Sequence, residues 1–481
     1  MAQLERFARR LRRTVVPAQP AAEPVARVRP LTSATLEQHG TRLTVPTYDR
    51  AALTPAVVHL SVGGFSRAHQ LIYFDEVAQR RISSGWGVVG VGLRARTLQE
   101  ALAPQDNLYT VVERSPDGER ARVVGVLTDY LFAPDAPGAV LDRLAHPAAA
   151  RTVFGFLVEA LDRRRRAGTA PFTVVSCDNL HRNGDATRAA VVGFAALRDE
   201  VLARWIADRV AFPSSMVDRI TPQTTPEERA AVARRHRVDD RWPVITEPFS
   251  QWVIEDTFCN GRPPLDQVGV RFVRDVTAHE LMKTRLLNAS HSALGYLGTL
   301  AGHERIDVLM GDPLFAAYVT RLMDDEVTPL IPVPEGIDLA EYKATLLQRF
   351  ANPAIADRLS RLCRRGSTKL PHHLLPSLRQ ALAEGRPHAL LTLALAGWVR
   401  YLQRVDDDGR PLPVEDDRGP HLQALALAGG TDPRPLLAEE SVFGDLGSVP
   451  GFADELAGVL RRLERDGVRA TVAAATRASA R

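Results

Sequence analysis

The stretch VVHLSVGGFSRAH, residues 57–69, and the stretch WGVVGVGL, residues 86–93, are two β-rich runs joined by a helical one that ends near Arg81. Short apolar runs alternating with helical periodicity are the pattern of βαβ units on a parallel sheet. Outward from this pair, the runs Leu108–Val112, Val123–Leu127 and Phe172–Ser176 extend the expected sheet. A helix is expected from about Arg151 to Arg166 and another from about Thr187 to Val210. Short strand-like runs recur at residues 242–246, 251–254 and 270–273, and after Ala278 helical periodicity dominates to the end. The fold class expected is therefore α/β: a doubly wound, dinucleotide-binding (Rossmann-like) domain over 31–276, then a mainly α-helical substrate and catalytic domain over 277–481. Residues 1–30, rich in Arg, Ala and Pro, read as a basic mobile tail.

A chain of 481 residues exceeds what one hydrophobic core readily supports, which agrees with two domains. Hydrophobic residues at 45% and charged residues at 25% are ordinary globular values, so neither general disorder nor a membrane protein is indicated. The net charge of +4 is small, and part of the excess sits in the start (Arg6, Arg9, Arg10, Arg12, Arg13), so no nucleic-acid partner is expected. The first twenty residues lack an apolar core, and the longest apolar stretch, Leu390–Leu402, is too short to span a bilayer. Three scattered cysteines (Cys177, Cys259, Cys363) support neither disulfides nor a zinc knuckle. A cytoplasmic location is expected, and a monomer is compatible with everything the chain displays.

The turn Ser61–His69 runs from a strand straight into a helix. Glycines in such a turn let the backbone approach a pyrophosphate, so Val62, Gly63, Gly64 and Phe65 are candidate cofactor-binding residues. The second constellation is MKTRLLNASHSALGYLG, residues 282–298. On an ideal helix of about 100° per residue, with Lys283 at zero, Glu280 falls near about 60°, His291 near about 80° and Asn288 near about 140°. Leu286, Leu297, Met282 and Ala293 fall opposite, as a buried stripe. A lysine on such a face can act as a general base where burial lowers its pKa, so Lys283 is a candidate base. Other dehydrogenase mechanisms lack their residues: no tyrosine has a lysine four positions on, and His372 and His373 have no clustered Cys or His partners, so no metal is expected.

Further motifs accompany that helix. Ser176–Asn179 reads SCDN, Phe212–Pro222 reads FPSSMVDRITP, and Thr246–Phe258 reads TEPFSQWVIEDTF. Together they resemble the polyol-specific long-chain dehydrogenases, the mannitol dehydrogenase family, from about Leu31 to the C-terminus. The stretches VTPLIPVPEGIDL (327–339) and NPAIADRLSRLCRRGSTKLP (352–371) are similar to the mannitol branch more than to the hexuronate (fructuronate and tagaturonate) reductases. The resemblance implies a metal-independent oxidoreductase acting between a nicotinamide cofactor and a linear polyol/ketose pair, D-mannitol and D-fructose first. It implies Asn179 and Asn288 as an oxyanion hole, His291 as a residue that binds a substrate hydroxyl and holds the lysine, and Glu280 as the proton's way to solvent. Asp218, Arg361 and Lys369 are the implied sugar-binding residues.

Two departures qualify the cofactor site. An NAD site usually presents an Asp or Glu after its second strand, whereas Gly92–Thr97 reads GLRART, so NAD is the family expectation while Arg94 and Arg96 suit the 2′-phosphate of NADP. The family also has a further strand and loop, roughly 40 residues of a doubly wound domain, between the helix at Gly138–Leu144 and the next at Arg151. Here Leu144 leads almost at once to Arg151. One strand is therefore expected to be missing near 147–151, and Ser61 stands where the family has a glycine. A catalytically silent relic with a damaged cofactor site is the alternative this implies.

Overall fold

The computed structural model describes residues 28–134 and 152–478. The helix expected at Gly138–Leu144, the join near 147–151 and nearly all of the basic tail lie outside these residues. The end of the tail is in the fold, because Arg29 and Pro30 pair in parallel with Val238 and Asp239.

The first sheet begins with β1 (Pro55–Leu60), continues through helix α1 (Gln70–Gln79) to β2 (Gly87–Gly92), and is followed by a hairpin of β3 (Tyr109–Ser115) and β4 (Gly118–Val124) before β5 (Leu127–Phe132). Its order is β1-β2-β5, all parallel, with Leu60 beside Val91 and Val91 beside Leu131. The run Val123–Leu127, expected as one strand, is divided. Its first half closes the β3/β4 hairpin and its second opens β5, because the chain turns at Gly125. Between these strands α1 buries Leu71, Phe74 and Val77, the apolar face that returns the chain to the sheet.

Helix α2 (Val153–Arg166), capped by the Thr152 hydroxyl, precedes α3 (Asn183–Ala196) and α4 (Glu200–Arg209), so the helix expected over 187–210 is two. Strands β6 (Ser215–Asp218), β7 (Val244–Thr246), β8 (Gln251–Glu255) and β9 (Arg271–Val273) build two further sheets, β4-β3-β7 and β9-β8-β6. Phe172–Ser176, expected to be a strand, belongs to no ladder. Its Val174 amide donates to the Ala211 carbonyl instead. On the side facing away from β2, β1 has no described strand partner, and its side chains are exposed or half-buried where those of β2 are all buried. The first strand of a doubly wound sheet is ordinarily central and covered on both faces.

The helical part opens with α5 (Thr277–Met282), a π-helical turn over Lys283–Asn288, and α6 (Ala289–Leu300). Then come α7 (Leu339–Phe350), α8 (Gly366–His373), α9 (Ala389–Leu402) and α10 (Phe452–Ala478). α9 reads ALLTLALAGWVRYL and is buried almost all round, packed against α6 and α10. An apolar helix of this length inside a bundle is a core element, and no helix among the described residues is long and apolar enough to cross a membrane.

Candidate active site

The cleft at the junction of the two parts is lined by Asp178, Asn179 and His181 from the loop before α3, Met216 from β6, Lys283 from the π turn and His373 from α8. The loop is held by Asn183: its side-chain amide donates to the carbonyls of Asp178 (2.9 Å) and Ser215 (2.7 Å), while its Oδ1 accepts from the Ser215 amide at 2.9 Å. Gly184 allows this, since a Cβ there would lie 2.4 Å from the Phe212 carbonyl. The Ser215 hydroxyl donates to the Ser176 carbonyl at 2.6 Å. Asn179 is thus presented by a loop fixed to the end of β6.

Lys283 is 8% exposed, and its Nζ donates to Asn179 Oδ1 at 2.5 Å. Burial pushes its pKa below the ordinary lysine value, Asp218 pulls it back up, and Arg349 pushes it down. The Asn179 contact uses the amide oxygen and leaves the Nδ2 hydrogens free for another oxygen. Asn288 Nδ2 donates to His373 Nε2 at 3.3 Å. Burial, with Lys283 and Lys369 nearby, lowers the pKa of His373 to about 3, which keeps the ring neutral and able to accept. Glu280 Oε2 meets His181 Nδ1 at 3.0 Å and accepts from the Arg182 amide at 3.2 Å, while Oε1 is buried without a partner. His181 is half exposed, so the Glu280 carboxylate stands between the buried cleft and solvent.

The helical wheel drawn from sequence fails across residues 283–288, because the π turn carries more residues per turn than an α-helix. No hydrogen bond between His291 and Lys283 is described, although the lysine is among the charges that act on the ring. His291 packs on the Phe350 ring at 4.6 Å, its Nε2 is buried without a partner, and Asn179 makes the one hydrogen bond described for Lys283. Burial together with Arg361, Arg349 and Lys369 drives the His291 pKa far down, so the imidazole is neutral.

Of the three expected sugar-binding residues, Arg361 and Lys369 act on this ring, and Asp218 and Arg361 have their charges engaged. Both Asp218 oxygens are held by Arg349, at 2.8 and 2.9 Å. Arg361 is paired with Asp357 through two hydrogen bonds. Lys369 donates only weakly to the Leu362 carbonyl (3.4 Å), and burial followed by Arg361 lowers its pKa to about 8. Sequence reasoning missed Asn183, Arg349 and His373. Asn183 stands four residues beyond Asn179, at the first position of α3, and that spacing was the available signal.

At the other end of β1, Ser61 has φ +62°, a left-handed conformation that costs a non-glycine residue roughly 1–2 kcal/mol. A Cβ built on Gly63 or Gly64 would meet nothing within 4 Å, so this backbone is open to a ligand. Val62 is buried in the core and Phe65 stacks on His69 at 5.0 Å, so only the backbone of these two faces the turn. Arg94 and Arg96 are exposed just beyond β2, the strand beside β1, and the Arg96 guanidinium lies 5.3 Å from the centre of the Phe132 ring. No group of three or more His, Cys, Asp or Glu side chains among the described residues is placed to hold a metal ion.

Sequence models of two domains match the chain: the mannitol dehydrogenase Rossmann domain over residues 55–267 and the mannitol dehydrogenase C-terminal domain over 275–464. The chain belongs to the mannitol dehydrogenase family. Mannitol 2-dehydrogenase of Aspergillus fumigatus is 42% identical over 479 residues, covering 90% of this chain and 95% of that one. Among solved structures, Pseudomonas fluorescens mannitol 2-dehydrogenase in ternary complex with NAD and D-mannitol superposes with a TM-score of 0.87 at 39% identity, covering 92% of this chain and 99% of that one. A D-sorbitol dehydrogenase in substrate-free form gives 0.82 at 32% identity, covering 92% and 100%. As a mannitol dehydrogenase family member the chain is nevertheless short. The alignment to the Aspergillus relative runs over 479 positions but takes in 90% of 481 residues, about 433, so roughly 45 positions have no counterpart here.

Proposed function

We propose that this chain interconverts a linear polyol and its ketose, D-mannitol and D-fructose first, with Lys283 as the proton acceptor and no metal. The observation that carries this reading is the buried Lys283 ammonium held at 2.5 Å by Asn179 across the junction of the two domains. The open backbone at Gly63 and Gly64, beside the end of β2, fits the pyrophosphate and ribose of a nicotinamide dinucleotide. When bound, that cofactor supplies the hydride acceptor and donor.

The remaining work falls to the chain itself. Neutral Lys283 takes the hydroxyl proton, and burial makes the neutral form available. Amide hydrogens of Asn179 and Asn288 stabilise the oxygen as it gains negative charge, the task a zinc ion performs in other alcohol dehydrogenases. Glu280, bonded to the half-exposed His181, carries the proton outward. Neutral His291 and the partly free Lys369 are the groups nearest at hand for further substrate hydroxyls, with Asp218 and Arg361 behind them as members of ion pairs.

A second reading is favoured by one specific observation. The outer edge of β1 has no described partner, Phe172–Ser176 has no ladder, and about 45 positions of a relative are absent. We infer that the cofactor sheet, among the described residues, lacks its next strand. In the extreme, this makes the chain a silent relic of the enzyme. Purified protein assayed with fructose, other ketoses and hexuronates against each reduced cofactor separates these readings. Ketose turnover that disappears in Lys283→Ala supports the first, a preference for hexuronates moves the assignment to the reductase branch, and no turnover with any pair supports the relic.

A further inference from the structure

Arg349, near the end of α7, reaches across the domain junction to two carboxylates that lie 131 and 102 residues earlier in the chain. Its Nη1 and Nη2 donate to Asp218 at 2.9 and 2.8 Å. Nη2 and Nε also donate to Glu247, at 2.8, 3.0 and 3.1 Å. Phe249 lies under the guanidinium at 3.9 Å, and the three charged side chains are 5%, 3% and 2% exposed. Two carboxylates therefore share one buried cation. The nearby Arg219 is committed elsewhere, to the Glu113 carboxylate and to the carbonyls of Glu247 and Ala68.

Asp218 closes β6, the strand that bounds the cleft of Lys283. A carboxylate left unpaired at the end of that strand, in a dry site, favours a nearby lysine ammonium. We propose that Arg349, anchored by Glu247, is the positioning residue that keeps Lys283 able to act as a base, by engaging Asp218 so that it does not pin the lysine as an ammonium. The proposal rests on the reading of Lys283 as the proton acceptor.

The other groups facing Lys283 do not do this. Glu280 favours the ammonium, and Asp178 lines the cleft together with His181. His69, His291 and His373 are neutral, and His372 lies at the edge of the cleft. Arg349 is the cation that acts directly on the lysine, in agreement with the downward push it exerts on the Lys283 pKa.

The test is the ionisation of Lys283 in the full chain, followed by competitive acetylation with mass spectrometry across pH, together with the pH dependence of polyol oxidation. Arg349→Gln is expected to raise the Lys283 midpoint by about one pH unit or more, since a unit shift needs only ~1.4 kcal/mol of altered interaction. Arg349→Lys should raise it less, and Asp218→Asn combined with Arg349→Gln should return it toward wild type. A folded Arg349→Gln chain with an unmoved midpoint would reduce the residue to a structural tie and overturn the proposal. Should Arg349→Gln fail to fold, Asp218→Asn alone decides. It should lower the midpoint, and an unchanged or raised value overturns the idea. The labelling reads the lysine whether or not the enzyme turns over, so failure of the proposed function is distinguishable from failure of this inference.

Discussion

Replacing Asn179 by Asp changes one atom group in the cleft and places a carboxylate 2.5 Å from the Lys283 Nζ. Unit charges about 4 Å apart attract by about 4 kcal/mol at an effective dielectric of about 20. Burying the new carboxylate returns part of this, leaving roughly 2–4 kcal/mol in favour of the ion pair. At ~1.36 kcal/mol per unit, the lysine pKa should rise by about 1.5–3 units. The sign follows from the direction of catalysis. Oxidation needs the neutral amine, so its rate at neutral pH should fall by about 30-fold to 1000-fold and recover as pH rises through the new value. Reduction uses the ammonium, so its alkaline limb should move up by the same amount. The loss of one amide donor adds a pH-independent fall of about 10²–10³. Asn179→Ala loses the same donor without adding a charge, and because it also removes the oxygen that accepts from the ammonium, its limbs should shift down where those of the Asp variant shift up. Initial rates in both directions across pH make the comparison. If the Asp and Ala variants show the same limbs, Asn179 does not govern the protonation of Lys283 and the assignment of the pair is wrong.

Arg94 and Arg96 should let the chain accept NADP, measured as binding of 2′,5′-ADP against 5′-AMP as well as by kinetics; a hundredfold or greater specificity for NAD would remove both residues from cofactor choice. The edge of β1 that has no partner among the described residues predicts weak dinucleotide affinity, and micromolar NADH or NADPH binding in a fluorescence titration would mean that the sheet is functionally complete. His388, whose hydrogen bond to Glu455 raises its pKa to about 9, stabilises the fold fully below its ordinary pKa near about 6.5 and progressively less up to about pH 9. After allowance for solvent screening this amounts to about 1 kcal/mol, so His388→Gln should flatten the pH dependence of the melting temperature over that window; an unchanged slope would show the contact to be neutral.

Much of this was legible in sequence because it is local. The β1–turn–helix unit and the apolar α9 are runs whose periodicity reports their own burial, and Lys283 with Asn179 could be named from motifs. What failed was non-local. Phe172–Ser176 has the composition of a strand, but a strand exists only with a neighbour to bond, and none is described beside it. The run Val123–Leu127 is continuously apolar across a turn that sends its halves to different sheets. The π turn at 283–288 leaves no mark in a wheel drawn at a fixed angle, so the relative bearings of Lys283, Asn288 and His291 could not be read from spacing. Arg349 looked like one arginine among many, since its partners lie more than a hundred residues away.

The central claim, that Lys283 serves ketose–polyol interconversion in this chain, is tested most directly by following the absorbance of NADH and NADPH at millimolar concentration with D-fructose, for wild type and Lys283→Ala side by side. Saturating cofactor removes the effect of a weakened cofactor site from the comparison. The account predicts consumption of reduced cofactor by the wild type and a rate about 10²–10⁴ lower in the variant, the usual cost of losing a positioned proton-transfer group. Equal rates in the two proteins, or no consumption by the wild type with fructose or any other ketose, would contradict it.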